Sequence, residues 1–304
     1  MADQSIIDTS RHPLSDGVAP DWASGWGEDE YGVFVEITVG DVTQALRWCP
    51  PGRFMMGSPE EAERFDDEGP QIEITFARGF WLFETPVTQA LYEAVTGENP
   101  ARFNGADRPV ENVSWEEAQA FLTALNDWMP GLELRLPSEA EWEYACRAGS
   151  TTPFEPTVAH RYSGASITPD EVNYDGNYPY GDAPKGTYRK ETVPVKGRPF
   201  RPNAWGLWHM HGNVWEWCAD AWYDSHEGAS PDGRPRQASQ QEGETSRVIR
   251  GGSWGFDAWL CRSASRHRLA PGLRLDGLGF RPARGQAPGA LASLAATAEP
   301  PDAS

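Results

Sequence analysis

The residues best equipped for covalent or metal chemistry in this chain are four cysteines, Cys49, Cys146, Cys218 and Cys261, and six histidines. Cys261 invites the first question. It lies in RGGSWGFDAWLCRSASRHR, residues 250–268, among glycines, two tryptophans and four arginines. A neighbouring cation can lower a thiol's pKa and make it a nucleophile. A cysteine also serves as a small apolar filler of a core. The alternation in LCRSA predicts a strand turning Leu260 or Cys261 inward, so burial is the expectation for Cys261. Cys49 beside Trp48, Cys146 on a helix and Cys218 beside Trp217 are expected in the core as well. The cysteines are widely separated, with no CxxC and no metal-ligand spacing. His209 and His211 in HMHGN would share one face of a strand and could offer two nitrogens to iron. They have no evident carboxylate partner, and structural or surface roles are expected. GxSxG, Walker, HExxH and GxGxxG patterns are absent. A Ser/His/Asp or paired-carboxylate site stays open, because such residues meet only in the fold.

The elements that must position these residues announce themselves by their ends. Thr88 can cap QALYEAVT, with Gly97 as the stop. Ser114 with Glu117, and Ser138 with Glu141, form two capping boxes, the second helix-forming stretch of the pair ending at Gly149. Ala118, Phe121, Leu122 and Leu125 recur at helical spacing and predict one buried face. YGVFVEITV (31–39) and DVTQALRWC (41–49) read as strands joined by a Gly-Asp turn. After residue 150 the periodicity is lost, and short apolar pieces alternate with turn residues. Residues 58–70, SPEEAERFDDEGP, read as a solvated acidic loop. Residues 1–25 are polar, and residues 285–304 are rich in Ala, Pro and Ser; both are expected to be poorly ordered.

The chain has 304 residues, 31 Gly, 26 Pro, 14 Trp and a formal net charge of −19. Such a charge opposes nucleic acid and anionic membranes, and neither is expected as a partner. No secretory leader and no apolar run of spanning length is evident, which predicts a cytoplasmic protein with reduced thiols. Between Arg247 and Arg284 stand eight Arg against two Asp. These cations either pair with carboxylates from the acidic remainder or form a face for an anion or a partner.

FMMGS, RPVENVSWEEAQAF, RLPSEAEWEYACR, NYDGNYPYG, GLWHMHGNVWEW, RVIRGGSW and GFRPA follow one another between residues 45 and 284. In that order the blocks resemble the formylglycine-generating enzyme / sulfatase-modifying factor family. The resemblance implies an α+β fold: a single domain, residues 26–284, of a C-type lectin variant with little regular structure. In the family's copper oxidases two cysteines, five residues apart after GGS, bind Cu(I). Here Cys261 matches the second and Phe256 stands at the first. Phenylalanine has no donor atom, and one thiolate holds Cu(I) weakly, so copper is not expected. Cys261 would be the catalytic residue if the chain were an oxidase. The resemblance also implies calcium. One site would use His209, Gly212, Val214 and Glu216, with His209 in place of an oxygen ligand; a second would start at Asn173 and the Tyr174 carbonyl, with Thr187 in place of an acid.

The last block also resembles the variable region of diversity-generating-retroelement target proteins, which share this fold. RGGSW, CRSA, Arg266, Pro271, Arg274 and GFR read as scaffold. Gly255, Phe256, Asp257, Trp259, Ser265, His267, Leu269, Gly272, Leu275, Asp276 and Gly277 lie between them with neither strand nor helix period. They read as contact positions, to which Arg266 and Arg268 would add charge complementarity. The functional expectation is a module that binds a protein or small-molecule ligand through residues 255–277. The alternative is an oxygen- and metal-dependent oxidoreductase or maturation factor. Ligand identity and oligomeric state are not written in the chain.

Overall fold

The computed structural model describes residues 12–238 and 245–285. In chain order the elements are β1 (Gly25–Asp29), β2 (Gly32–Val39), β3 (Val42–Cys49), β4 (Gly52–Met56), β5 (Ile72–Phe76), β6 (Phe80–Phe83), α1 (Gln89–Thr96), α2 (Trp115–Trp128), β7 (Leu134–Arg135), α3 (Glu139–Arg147), β8 (Trp215–Ala221), β9 (Arg247–Arg250), β10 (Arg266–Leu269), β11 (Leu278–Phe280) and β12 (Ala283–Arg284). They form a six-stranded sheet β1-β2-β3-β6-β12-β7, a four-stranded sheet β10-β9-β8-β11 and the hairpin β4-β5. Within the four-stranded sheet β11 runs parallel to β8 and the other pairs are antiparallel.

Strict alternation makes β2 a half-buried strand: Val33, Val35, Ile37 and Val39 all point into the core. The apolar stripe of α2 (Ala118, Phe121, Leu122, Leu125) packs into the same core. There Phe121 stacks on Tyr92 at 5.4 Å and meets the edge of Phe280 at 5.3 Å. Each such ring, fully buried, contributes ~1.5–3 kcal/mol. The two sheets therefore share one core, with Trp81 and Phe83 from one and Trp215, Trp217 and Phe280 from the other.

The three helices start where their caps predict. Thr88 accepts from the Leu91 amide, and both capping boxes close. Gly97 caps α1 in the left-handed region, but α3 ends one residue before its glycine, on Ala148 at φ 44°. From Phe154 to Asn213 the only helix or strand among the described residues is a single 3-10 turn, His160–Tyr162. The N-terminal segment departs from expectation. Leu14 is buried in the core with Trp22 packed against it, and Ser24 donates its amide to the Glu36 carbonyl. Residues 1–11 and 286–304, also expected to be poorly ordered, lie outside the described residues.

The acidic loop is not merely solvated. It carries a 3-10 turn, Asp66–Glu68, and Glu68 is wholly buried. Arg262 clasps that carboxylate with two bonds, 2.7 and 2.5 Å, while the Ser58 hydroxyl donates a third at 2.6 Å.

Candidate binding surface

Beyond β9 the chain reverses at Gly251 and Gly252. A Cβ on Gly252 would lie 2.6 Å from the Cys261 sulfur, so glycine is required for that thiol to pack there. The LCRSA stretch is not a strand. Ala258–Cys261 is a 3-10 turn, capped by the Asp257 carboxylate, which accepts from the Leu260 amide at 3.2 Å. Asp257, expected to meet a ligand, is thus engaged as a cap. The turn still buries Cys261 completely, with its sulfur 3.7 Å from the Asp257 carbonyl. Burial pushes this thiol well above its ordinary range, the opposite of activation.

Cys49, Cys146 and Cys218 are buried and unpaired too. Cys146 lies 3.7–3.8 Å from both ring nitrogens of His211, so the pair needs testing as a dyad. The ring's other partners decide it. His211 Nδ1 sits 2.7 Å from the Cys261 carbonyl, which only accepts, while Nε2 receives the Glu155 amide, which only donates, at 3.1 Å. The ring is therefore neutral, with Nδ1 protonated and the Nε2 lone pair in use. It has no basic site left for the thiol. Burial holds His211 at about 4 and pushes Cys146 up to about 12. His209 and His211 are not on a strand either. His209 takes a left-handed backbone, faces the Pro194 carbonyl and packs on Phe200; His211 packs on Phe154. The shared face that iron would need does not form. Among the described residues no group of three or more His, Cys, Asp or Glu could hold a metal ion.

The calcium sets are tested by their partners. Both oxygens of Glu216 are held by Arg281 (2.8–3.2 Å), and Trp142 Nε1 adds a bond of 2.7 Å. A guanidinium already neutralises that carboxylate, and with His209 turned to Pro194 the set His209, Gly212, Val214, Glu216 does not fit a hard cation. At the other set the Asn173 amide nitrogen donates to Asn213 and to the Glu191 carbonyl. Its Oδ1 is buried with no partner. That oxygen suits a cation, together with the Tyr174 carbonyl.

The remaining residues of the last block divide sharply. Phe256, His267 and Leu275 are exposed; Phe256 and His267 both stand edge-on to the buried Trp215, at 5.8 and 6.1 Å. Trp259 is half-buried, against Tyr180 at 4.8 Å and Phe65 at 6.4 Å, with Arg262 over its face. Ser265, by contrast, is fully buried and its carbonyl accepts from Arg250, while Leu269 packs against the core. Arg266 is not a surface cation: it is buried and grips Glu139 with two bonds of 2.7 Å. Arg268 is exposed, above Trp222 and paired with Asp224. Of the eight arginines in 247–284, six pair with carboxylates from elsewhere: Arg250, Arg262, Arg266, Arg268, Arg274 and Arg281. Burial opposes the Glu139 charge, but Arg266 and Arg250 outweigh it and hold the carboxyl at about 2. The pairing alternative accounts for the block.

Sequence reasoning missed the exposed Phe65, Tyr178 and Leu273. Phe65 arrives through the acidic loop that Arg262 pins, and Tyr178 through its carbonyl's bond to the Ala258 amide. Neither has a local pattern that could have revealed it.

This scaffold, an α+β single domain whose last block mixes buried ion pairs with exposed aromatics, is C-type-lectin-like. Residues 38–286 match the sulfatase-modifying factor enzyme 1-like domain, and the chain belongs to the FGE-sulfatase family. It is 32% identical over 215 residues to the formylglycine-generating enzyme of Bos taurus, covering 67% of this chain and 50% of that relative. The chain spans about half the length of the curated relatives it matches. Among solved structures, PvdO from Pseudomonas aeruginosa is similar with a TM-score of 0.67 at 30% identity, covering 86% of this chain and 98% of that one. Treponema denticola variable protein 1 has a TM-score of 0.63 at 28% identity, covering 82% and 97%.

Proposed function

We propose that this protein is a binding module. It engages a protein or small-molecule ligand through the surface of residues 255–277, with Phe256, Trp259, His267 and Leu275 as contacts. One observation carries the reading: Phe256, which by the family resemblance stands at a copper oxidase's first thiolate, is an exposed side chain with no donor atom. The remaining thiol, Cys261, is sealed in the core. Aromatic side chains held on a rigid base supply contact area at low entropic cost. The similarity to a variable protein supports the same reading. Four unpaired cysteines support a reducing, cytoplasmic setting. Any bound calcium is assigned to Asn173 and Tyr174.

The alternative, an oxygen- and metal-dependent oxidoreductase or maturation factor, is separated by one experiment. The purified protein is loaded with Cu(I), and a cysteine-containing peptide is assayed for oxidation beside Cys261→Ala. No copper-dependent turnover is expected from either. Turnover present in the parent chain and lost in Cys261→Ala refutes the binding-module reading.

A further inference from the structure

The protein's three lysines, Lys185, Lys190 and Lys196, all fall in one loop, and the same loop adds Arg189, Arg198 and Arg201. Against these six cations residues 185–201 carry a single acid, Glu191, in a chain of net charge −19. Most arginines elsewhere are consumed by internal carboxylates. Arg198 and Arg201 are not: both are exposed, and neither makes a hydrogen bond or ion pair among the described residues.

They border an open groove of about 770 Å³, with Arg161 and His160 also lining it and Tyr31 and Trp208 as its aromatic wall. The carboxylates in the lining are already committed. Asp170 pairs with Arg161 at 3.1 Å. Glu171 is buried, accepting the Arg161 and Thr168 amides and the Thr168 hydroxyl, with His160 at 3.2 Å. The unpaired charge of the groove is therefore that of the two guanidiniums. Their backbone is held. Phe200, between them, is buried against His209 at 5.0 Å and beneath Arg189 at 5.2 Å, and Pro202 is buried next to Arg201. Proline at 199 and 202 fixes φ, so little backbone entropy remains to be lost on binding.

We propose that this groove docks an acidic polypeptide segment in extended conformation. Arg198 and Arg201 are three residues apart, at most ~10 Å along the chain, a span matched by carboxylates two or three residues apart on an extended strand. Apolar side chains of the segment would lie on Tyr31 and Trp208. A dense polyanion such as nucleic acid fits worse: the net charge of −19 repels any anion, but that repulsion grows with the ligand's charge, and two free cations offset a few spaced carboxylates sooner than a phosphate on every nucleotide. The groove shares no lining residue with the 255–277 surface, so the proposal stands independently of the function proposed above.

Fluorescence anisotropy tests it with a fluorescein-labelled (Glu-Ala)5 peptide and the full chain in 0.15 M NaCl, with (Gln-Ala)5 as the neutral control. The acidic peptide should bind at least about 10-fold tighter than the neutral one, and 0.5 M NaCl should remove the difference. Arg198→Ala and Arg201→Ala should each weaken binding about 5-fold, and the double variant more. Arg53→Ala removes an exposed guanidinium outside the groove and should change nothing. An unchanged melting temperature confirms that each variant is folded; Arg198→Lys/Arg201→Lys, which keeps the charge, should retain most of the affinity. Equal binding of the two peptides overturns the proposal. So does a folded double variant that binds as the parent does, or a labelled oligothymidine that binds more tightly than the acidic peptide.

Discussion

Replacing Glu111 by glutamine should abolish a specific component of the protein's pH-dependent stability. Glu111 is wholly buried; one carboxyl oxygen accepts the Phe103 amide at 2.8 Å and the other has no partner. Burial lifts this carboxyl from 4.5 to about 7. Between those values the folded chain keeps a proton that the unfolded chain releases. Stability therefore falls as pH rises through this window, and the penalty is complete above about pH 7. The distance from 4.5 to about 7, at ~1.4 kcal/mol for each tenfold change in proton affinity, makes it ~3 kcal/mol. Glutamine keeps the acceptor for Phe103 and carries no charge at any pH. Urea denaturation of both proteins from about pH 5 to pH 8 should show the variant gaining on the parent by ~2.5 kcal/mol, since a small part of the penalty is already present at about pH 5. Asp220 is also lifted to about 7, by burial and by the Glu139 charge, but it is present in both proteins and cancels in the difference. A stability difference that stays constant with pH refutes the reasoning. Glu111 lies close to the proposed surface, since the adjoining Asn112 amide bonds the Leu275 carbonyl at 3.0 Å.

Arg262→Ala should cost about 3–5 kcal/mol, because Glu68 would be left buried and unpaired; it should also expose residues 58–68 to limited proteolysis, and Glu68→Gln in the same chain should restore part of both. Glu216→Gln weakens the clasp on Arg281 and should lower the melting temperature with and without added calcium alike; a calcium-dependent difference between variant and parent would return the ion to that site. Iodoacetamide at about pH 8 should modify none of Cys49, Cys146, Cys218 and Cys261 in the native protein and all four after denaturation, read by mass spectrometry, because every thiol is buried. Rapid native labelling of Cys261 would show an accessible, activated thiol.

The sequence alone determined the helix starts, the core stripe of α2 and the family. The reason is that caps and stripes are local: Ser114 and Glu117, or Ser138 and Glu141, meet three residues apart whatever the rest of the chain does. The argument against copper was equally local, because Phe256 lacks a donor atom in any conformation. Other assignments failed because they depended on distant partners. Arg250 meets Glu143 across 107 residues, Arg266 meets Glu139 across 127, and Arg262 meets Glu68 across 194. No local pattern records such pairings, so only the tertiary structure turned Arg266 and Ser265 inward, made Asp257 a cap and brought Phe65 beside Trp259. The same applies to His211, whose neutrality and protonated nitrogen are set by Cys261 and Glu155, 50 and 56 residues away. The tertiary structure likewise left Arg198 and Arg201 without an ion pair among the described residues, because the groove's carboxylates, Asp170 and Glu171, are engaged by Arg161 and His160.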